Sequence, residues 1–413
     1  MTDTAERDLL DRAVVQDPYP LYREMREQTR VGKHVVKTLS AEVRAWVVTG
    51  YDDTRALLAD PRLSKDAGIL PEAIARHALD PSTVATTYPA SMLFSDPPEH
   101  TRLRRLIGRA FTARRVEALR PWIVELTGKL LDGIEPGAGF DAVERIALPV
   151  PLAVIGRLLG VPDGMYEDFR RWNDVVAGIE ADREVKHATI TEAYGELAAL
   201  AKARRERPGD DLISQLQQVE DDGVRMTDAE LLATVFLMMN AGYETTANLI
   251  SSGLLALLLH PDEQLRLRRD PGLVPLAVEE FLRWESPLNF TTIRCTAEEV
   301  AIGDVTIPPG ELVFFSLCAA NRDPARFHAP DVLDVGREAG HLAFGHGVHR
   351  CLGAPLARME GRIVFGALLE RFPAWHLAVP AEALEWRASL QFRGLRSLPV
   401  RMDSKESDMG GPA

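Results

Sequence analysis

Residues Thr227 to His260 read TDAELLATVFLMMNAGYETTANLISSGLLALLLH, and this stretch decides the fold. Thr227 and Glu230 make a T-x-x-E capping box, and the apolar pattern then runs on until His260-Pro261 stops it. The spacing predicts about 33 helical residues, roughly 50 Å at 1.5 Å per residue, enough to cross a domain. The flanks LLATVFLMM and LISSGLLALLL are apolar nearly all round, as a buried helix requires. The middle differs, because Asn240, Glu244, Thr245, Thr246 and Asn248 gather there beside Ala241-Gly242. A buried carboxylate is costly without partners, so Glu244 belongs either to a satisfied polar network or to a site. By the i, i+4 rule, Leu237, Asn240, Ala241, Glu244 and Thr245 are expected to line one cavity. Ala241 and Gly242 would leave room for a flat group against the backbone.

Outward from this helix, helical periodicity extends over 41–282, broken at Pro- and Gly-bearing segments such as DPPEH and GVPDG. Short β-type runs lie near 44–49, 300–317 and 390–400, the middle one expected to be a hairpin around Pro308-Pro309-Gly310. The expected class is mainly α with small β-sheets, in a single domain over 1–402 followed by a disordered tail over 403–413. The 413 residues carry 48 Lys+Arg against 61 Asp+Glu, a net charge of −13, which disfavours nucleic acid and anionic lipid as partners. The N-terminus lacks a signal-peptide pattern and no apolar run reaches the ~18 residues of a membrane span, so a cytoplasmic location is expected. Cys295, Cys318 and Cys351 are odd in number and widely spaced, which suits a reducing compartment.

The second informative stretch is HLAFGHGVHRCLGAPLARME, His341 to Glu360. Glycines surround Cys351, and a helix is expected to begin just after it. A thiol at a helix N-terminus, with loop N–H groups around it, is stabilised as thiolate, which makes Cys351 a candidate metal ligand. Zinc is the competing reading because His341, His346 and His349 stand nearby, but their spacing is not that of a zinc site and no second cysteine is close.

The loop FGHGVHRCLG, Phe344 to Gly353, resembles the haem-binding loop of the cytochrome P450 family, whose pattern is F-G-x-G-x-H-x-C-x-G. AGYETT in the long helix, the E-x-x-R pair Glu280 and Arg283, and DPPEHTRLR at Asp96 to Arg104 agree in order and spacing. The resemblance runs from DPYPLYREMR at residue 17 to about residue 400, and is greatest to soluble bacterial members that tailor natural products. It implies haem b (iron protoporphyrin IX) between the central helix and the cysteine loop, with Cys351 as iron ligand. His100, Arg104, Arg294 and His349 would hold the propionates, as a dianionic macrocycle in a protein interior requires. Ala241 and Phe344 would flank the ring. Glu280 and Arg283, joined by Arg337, would be structural.

Thr245 would hydrogen-bond dioxygen, the co-substrate, while Glu244 relays protons. Substrate contacts are expected from Tyr88, Leu93, Leu237, Asn240, Asn289, Phe290, Gln391 and Phe392, with the amides as polar anchors in an otherwise apolar pocket. The activity implied is oxidation of a C–H or N–H bond in a small secondary metabolite, such as a macrolide, polyketide or peptide-derived compound. Oxidative cyclisation or coupling by the same chemistry is the alternative, and a non-catalytic haem sensor a remote one. No flavin or dinucleotide domain is recognisable, so electrons would come from NAD(P)H through a reductase and an acidic ferredoxin. The segment 101–120, with Arg102, Arg104, Arg105, Arg109, Arg114, Arg115 and Arg120 against Glu117, would be the docking surface of a monomeric enzyme. Arg350 and Arg358 would extend it.

Overall fold

The computed structural model describes residues 9–37, 41–84, 91–135, 137–177, 182–338 and 340–403. Eight helices frame the interior: α1 (Glu99–Ala110), α2 (Ala113–Asp132), α3 (Pro149–Leu159), α4 (Tyr166–Ala177), α5 (Arg183–Glu206), α6 (Asp228–Leu259), α7 (Val274–Trp284) and α8 (Ala354–Arg371). Helix α6 is the one announced by the opening stretch. The Thr227 hydroxyl accepts from the Glu230 N–H at 3.2 Å and the Glu230 carboxylate from the Thr227 N–H at 2.8 Å, so both halves of the capping box are made. It ends at His260, whose ring nitrogen meets the Ala256 carbonyl at 2.8 Å.

Around α6 pack α3, α4, α5, α7 and α8. Helices α7 and α8 come close to α6 at Gly253. A Cβ there would lie 2.6 Å from the Phe365 ring of α8 and 2.7 Å from the Phe281 ring of α7, so only glycine lets three helices meet at this level. The two phenylalanine centroids are 4.8 Å apart, filling the space that the missing side chain opens.

Among the described residues ten strands flank the helices: β1 (Val31–Lys37), β2 (Glu42–Val48), β3 (Leu63–Ser64), β4 (Gly139–Asp141), β5 (Arg294–Thr296), β6 (Val300–Ile302), β7 (Val305–Ile307), β8 (Leu312–Phe315), β9 (Trp375–Leu377) and β10 (Pro399–Met402). They form a five-stranded sheet in the order β1-β2-β8-β5-β3, a three-stranded sheet β4-β10-β9 and the hairpin β6-β7. Only the β2–β8 pairing is parallel. The hairpin expectation needs correction. Ile302 faces Val305, so the turn is Gly303-Asp304 with Gly303 at φ +57°. Pro308-Pro309-Gly310 instead carries the chain from β7 to β8, which leaves the hairpin for the five-stranded sheet. Strand β1 escaped the sequence reading, and the run near 390–400 is strand only at its end. The tail beyond Asp403 lies outside the described residues.

The E-x-x-R pair is no surface contact. Glu280 and Arg283 are both fully buried, with two hydrogen bonds of 2.7 and 2.8 Å between them. Arg283 also donates to the carbonyls of Asn321, Pro330 and Val332, and Arg337 donates to Glu280 at 3.2 Å. This cluster ties α7 to the segment leading into the cysteine loop, and it satisfies every charge it buries.

Candidate active site

The cysteine loop is held at both ends. The Leu342 N–H donates to the Asn321 side chain at 2.7 Å, and the Cys351 N–H donates to the Phe344 carbonyl at 2.9 Å. Gly345 and Gly347 take φ values of +66° and +74°, and a Cβ on Gly347 would stand 2.6 Å from the Leu58 carbonyl oxygen. These glycines let the loop turn under the N-terminus of α8, three residues after the cysteine. Cys351 is exposed, whereas Cys295 and Cys318 are buried. The packed loop pushes the thiol up, while N–H groups of Gly353 and Ala354 and the charges of Arg104 and Arg358 favour the thiolate.

Beside the loop stands a cluster of basic side chains. His100 is 1% exposed and neither ring nitrogen has a hydrogen-bond partner; its ring centroid is 4.3 Å from that of His349. Arg294 is buried with its Nε unpartnered, and burial lowers its pKa to about 10. Burial, followed by the charges of Lys65, Arg294, His100 and Arg104, holds His349 down at about 2. Arg104 donates to the Arg350 carbonyl at 2.7 Å. Unpaired cations and hydrogen-bonding groups do not gather in an interior without an anion to receive them. The orphaned nitrogens of His100 and Arg294 fit the carboxylates of a dianionic macrocycle. Lys65, with no motif around it, is a member of this cluster that the sequence did not disclose; an isolated buried lysine has no signature beyond its apolar neighbours.

Across the interior, the middle of α6 opens at Ala241, which is exposed between the half-buried Asn240 and Gly242. The Thr245 hydroxyl, on the same face, donates back to the Ala241 carbonyl at 2.7 Å. Glu244 does not share that face. It is 1% exposed and pairs with Arg387 and, at 3.2 Å, with the Asn248 amide, leaving Oε2 without a partner. A cavity of about 140 Å³, lined in part by Asp174, Asn248, Ser251 and Arg387, lies on this side of the helix. Gly242 also faces away from Ala241. Its hydrogen points at Ile155 of α3, which a Cβ would approach to 3.0 Å. The single lined face expected from i, i+4 spacing is therefore two faces, one open and one salt-bridged.

A family model for cytochrome P450 matches residues 184–271 and 272–379. Cytochrome P450 107B1 of Saccharopolyspora erythraea is 45% identical, the alignment covering 97% of this chain and 99% of that one. The 6-deoxyerythronolide B hydroxylase of the same organism is 41% identical, over 97% of this chain and all of the other. Among solved structures, the tirandamycin C-bound P450 monooxygenase TamI superposes with a TM-score of 0.88 at 41% identity, covering 95% of this chain and 99% of TamI. The chain belongs to the cytochrome P450 family. It is a P450 monooxygenase, and with that family come haem, dioxygen and electrons derived from NAD(P)H.

Other expected positions of the P450 fall unevenly. Leu93, Leu237, Gln391 and Phe392 are half-buried, and Phe392 bridges to Leu288. Asn240 is half-buried and donates to the Phe236 carbonyl at 2.8 Å, with its own oxygen unpartnered. Asn289 accepts from the Tyr22 hydroxyl at 2.7 Å, and Phe290 is 0% exposed with its ring edge-on to Tyr22 at 6.1 Å, so both side chains are engaged with Tyr22. Tyr88 lies outside the described residues. Phe344 is half-buried beneath the Arg358 guanidinium, 4.4 Å from its ring centroid.

The arginine segment is largely paired within the chain. Arg105 meets Asp221 at 3.0 Å, Arg109 contacts the same carboxylate, Arg102 joins Glu99 and Glu230, and Arg120 joins Glu117. Arg358 is bound by Glu279 at 2.6 and 2.7 Å and does not extend a free positive rim. Arg114 is exposed with no ion-pair partner among the described residues. Among those residues no helix is long and apolar enough to cross a membrane, and no three or more His, Cys, Asp or Glu side chains are grouped so that they could hold a metal ion.

Proposed function

We propose that this P450 binds haem b and oxidises a C–H or N–H bond of a small, largely apolar secondary metabolite of the macrolide, polyketide or peptide-derived class. The observation that carries this is Cys351, an exposed residue just before α8, beside a buried basic cluster in which both ring nitrogens of His100 and Nε of Arg294 have no hydrogen-bond partner. The substrate class rests on the relatives, one named for hydroxylating 6-deoxyerythronolide B and another solved with tirandamycin C. When bound, the haem supplies dioxygen activation and the oxidising equivalent for the substrate. Cys351 would ligate its iron, His100, Arg104, Arg294 and His349 would hold its propionates, and Ala241 and Phe344 would flank it.

The protein's own part is to orient, to exclude water and to meter protons. Thr245 presents its hydroxyl from α6, where Oγ1 can exchange its bond to Ala241 for one to dioxygen. Glu244 draws protons from the polar cavity behind the helix and delivers them once its carboxyl turns away from Arg387. Separating the two faces keeps bulk water from the reacting side, which favours coupled turnover. Leu93, Leu237, Gln391 and Phe392 supply the pocket wall, and Asn240 a polar anchor. Electrons arrive from an acidic ferredoxin at the surface bearing Arg114, and the protein acts as a monomer.

The test is spectroscopic. The purified holoprotein, reduced and treated with carbon monoxide, should show the red-shifted Soret band of thiolate-ligated haem, and Cys351→Ser should lose it. A wild-type preparation without haem would sink the reading.

A further inference from the structure

We infer that Lys65 is a fifth side chain of the propionate cradle, paired through its ammonium with one haem carboxylate; this rests on the haem reading above. Lys65 follows β3 directly and is 3% exposed. Its ammonium lies 5.9 Å from the Phe94 ring centroid and makes no hydrogen bond or ion pair among the described residues. The carboxylate nearby, Asp96, is already engaged: Oδ1 accepts the Lys65 backbone N–H at 3.0 Å and Oδ2 accepts the Ser64 hydroxyl. Lysine is almost never buried unpaired. Its neighbours here make matters worse, since Arg294 repels it and Lys65 in turn bears on His100 and His349.

Cations outnumber carboxylates in this corner: Lys65 and Arg294 stand with Asp96, and Arg104 stands beside Arg350 and His100. A propionate would bring the negative charge that this excess calls for, and without one Lys65 is a buried ammonium among like charges. Lys65 is therefore a residue whose presence costs stability in the empty protein and contributes affinity in the loaded one.

That opposition of sign is what the experiment reads. Wild type, Lys65→Met, Lys65→Arg and Lys65→Gln are loaded with protohaem or with its dimethyl ester, in which the propionate charges are abolished, and haem transfer to excess apomyoglobin is timed. The expected result is that Lys65→Met and Lys65→Gln release protohaem about tenfold faster than wild type, as loss of a charge-assisted hydrogen bond implies, while Lys65→Arg stays close to it. With the dimethyl ester the variants and wild type should release at the same rate. In the haem-free proteins Lys65→Met should melt no lower than wild type.

Equal protohaem release in wild type, Lys65→Met and Lys65→Gln would overturn the assignment. So would an undiminished difference with the ester, or a haem-free Lys65→Met that melts well below wild type, since either outcome makes Lys65 a packing residue. Failure of the wild type to bind haem at all would instead overturn the reading on which this one stands.

Discussion

Glu244 and Thr245 are neighbours in sequence and do different work because a helix turns about 100° between them. Thr245 stays with Ala241 on the open face, while Glu244 is carried round to Arg387, a residue from the far end of the chain. Arg387 is about a third exposed, and burial pulls its pKa down against the opposing pull of Asp174. Removing it leaves the Glu244 carboxylate buried with one amide partner, so Arg387→Met should cost about 1–3 kcal/mol, the price of a buried group left unsatisfied. Adding Glu244→Gln to that variant should recover most of the loss, because the remaining amide carries no charge. Denaturant midpoints of the two single variants and the double variant decide it; strictly additive losses would mean the pair is not coupled.

At the scale of elements, the cysteine loop is clamped from beneath by Glu279 of α7, which holds His341 at 3.1 Å and Arg358 at 2.6 Å on either side of Cys351. Burial pushes the Glu279 carboxyl up, but hydrogen bonds from His341 and Arg358 outweigh it and bring it from 4.5 down to about 2. A carboxyl depressed in the folded state stabilises fully above its unfolded pKa and loses that contribution as pH falls through the folded one. Wild type should therefore exceed Glu279→Gln in urea midpoint at pH 6, and the gap should close as pH falls from about 4.5 towards 2. A gap that does not depend on pH would assign Glu279 a packing role. The elements differ in how plainly the sequence disclosed them. Helix α6 was legible because its cap and its unbroken apolar run agree. Strand β1 was hidden because its inward positions are Gly32, His34 and Val36, so a buried histidine interrupts the alternation. The β6–β7 turn was misplaced because Pro308-Pro309-Gly310 looks like a stronger turn than Gly303-Asp304, and pairing, not turn strength, decides which segment closes a hairpin. Motif spacing pointed to Cys351, and the family resemblance named the cations beside it except Lys65, but the division of α6 into two faces depends on Arg387 and Ile155, which no local pattern connects to it.

Over the whole molecule, a chain of net charge −13 can attract an acidic redox partner only through a local reversal of sign. The arginine segment supplies less of this than its sequence implies, since Asp221 alone neutralises Arg105 and Arg109 in part, and both ties fasten α1 to the turn before α6. Reversing Arg109 would disturb that fastening as well as any docking surface, so it cannot separate the two roles. Arg114 can: it is exposed and pairs with nothing among the described residues. Under the proposed function, Arg114→Glu should slow turnover with an acidic ferredoxin severalfold at low ionic strength. The deficit should shrink as salt brings the screening length to about 8 Å near physiological strength. Turnover driven by peroxide needs no partner, and substrate binding occurs inside the protein, so both should stay close to wild type. If peroxide-driven turnover falls equally, Arg114 acts on the fold or on haem retention, and the docking surface must be sought elsewhere on the molecule.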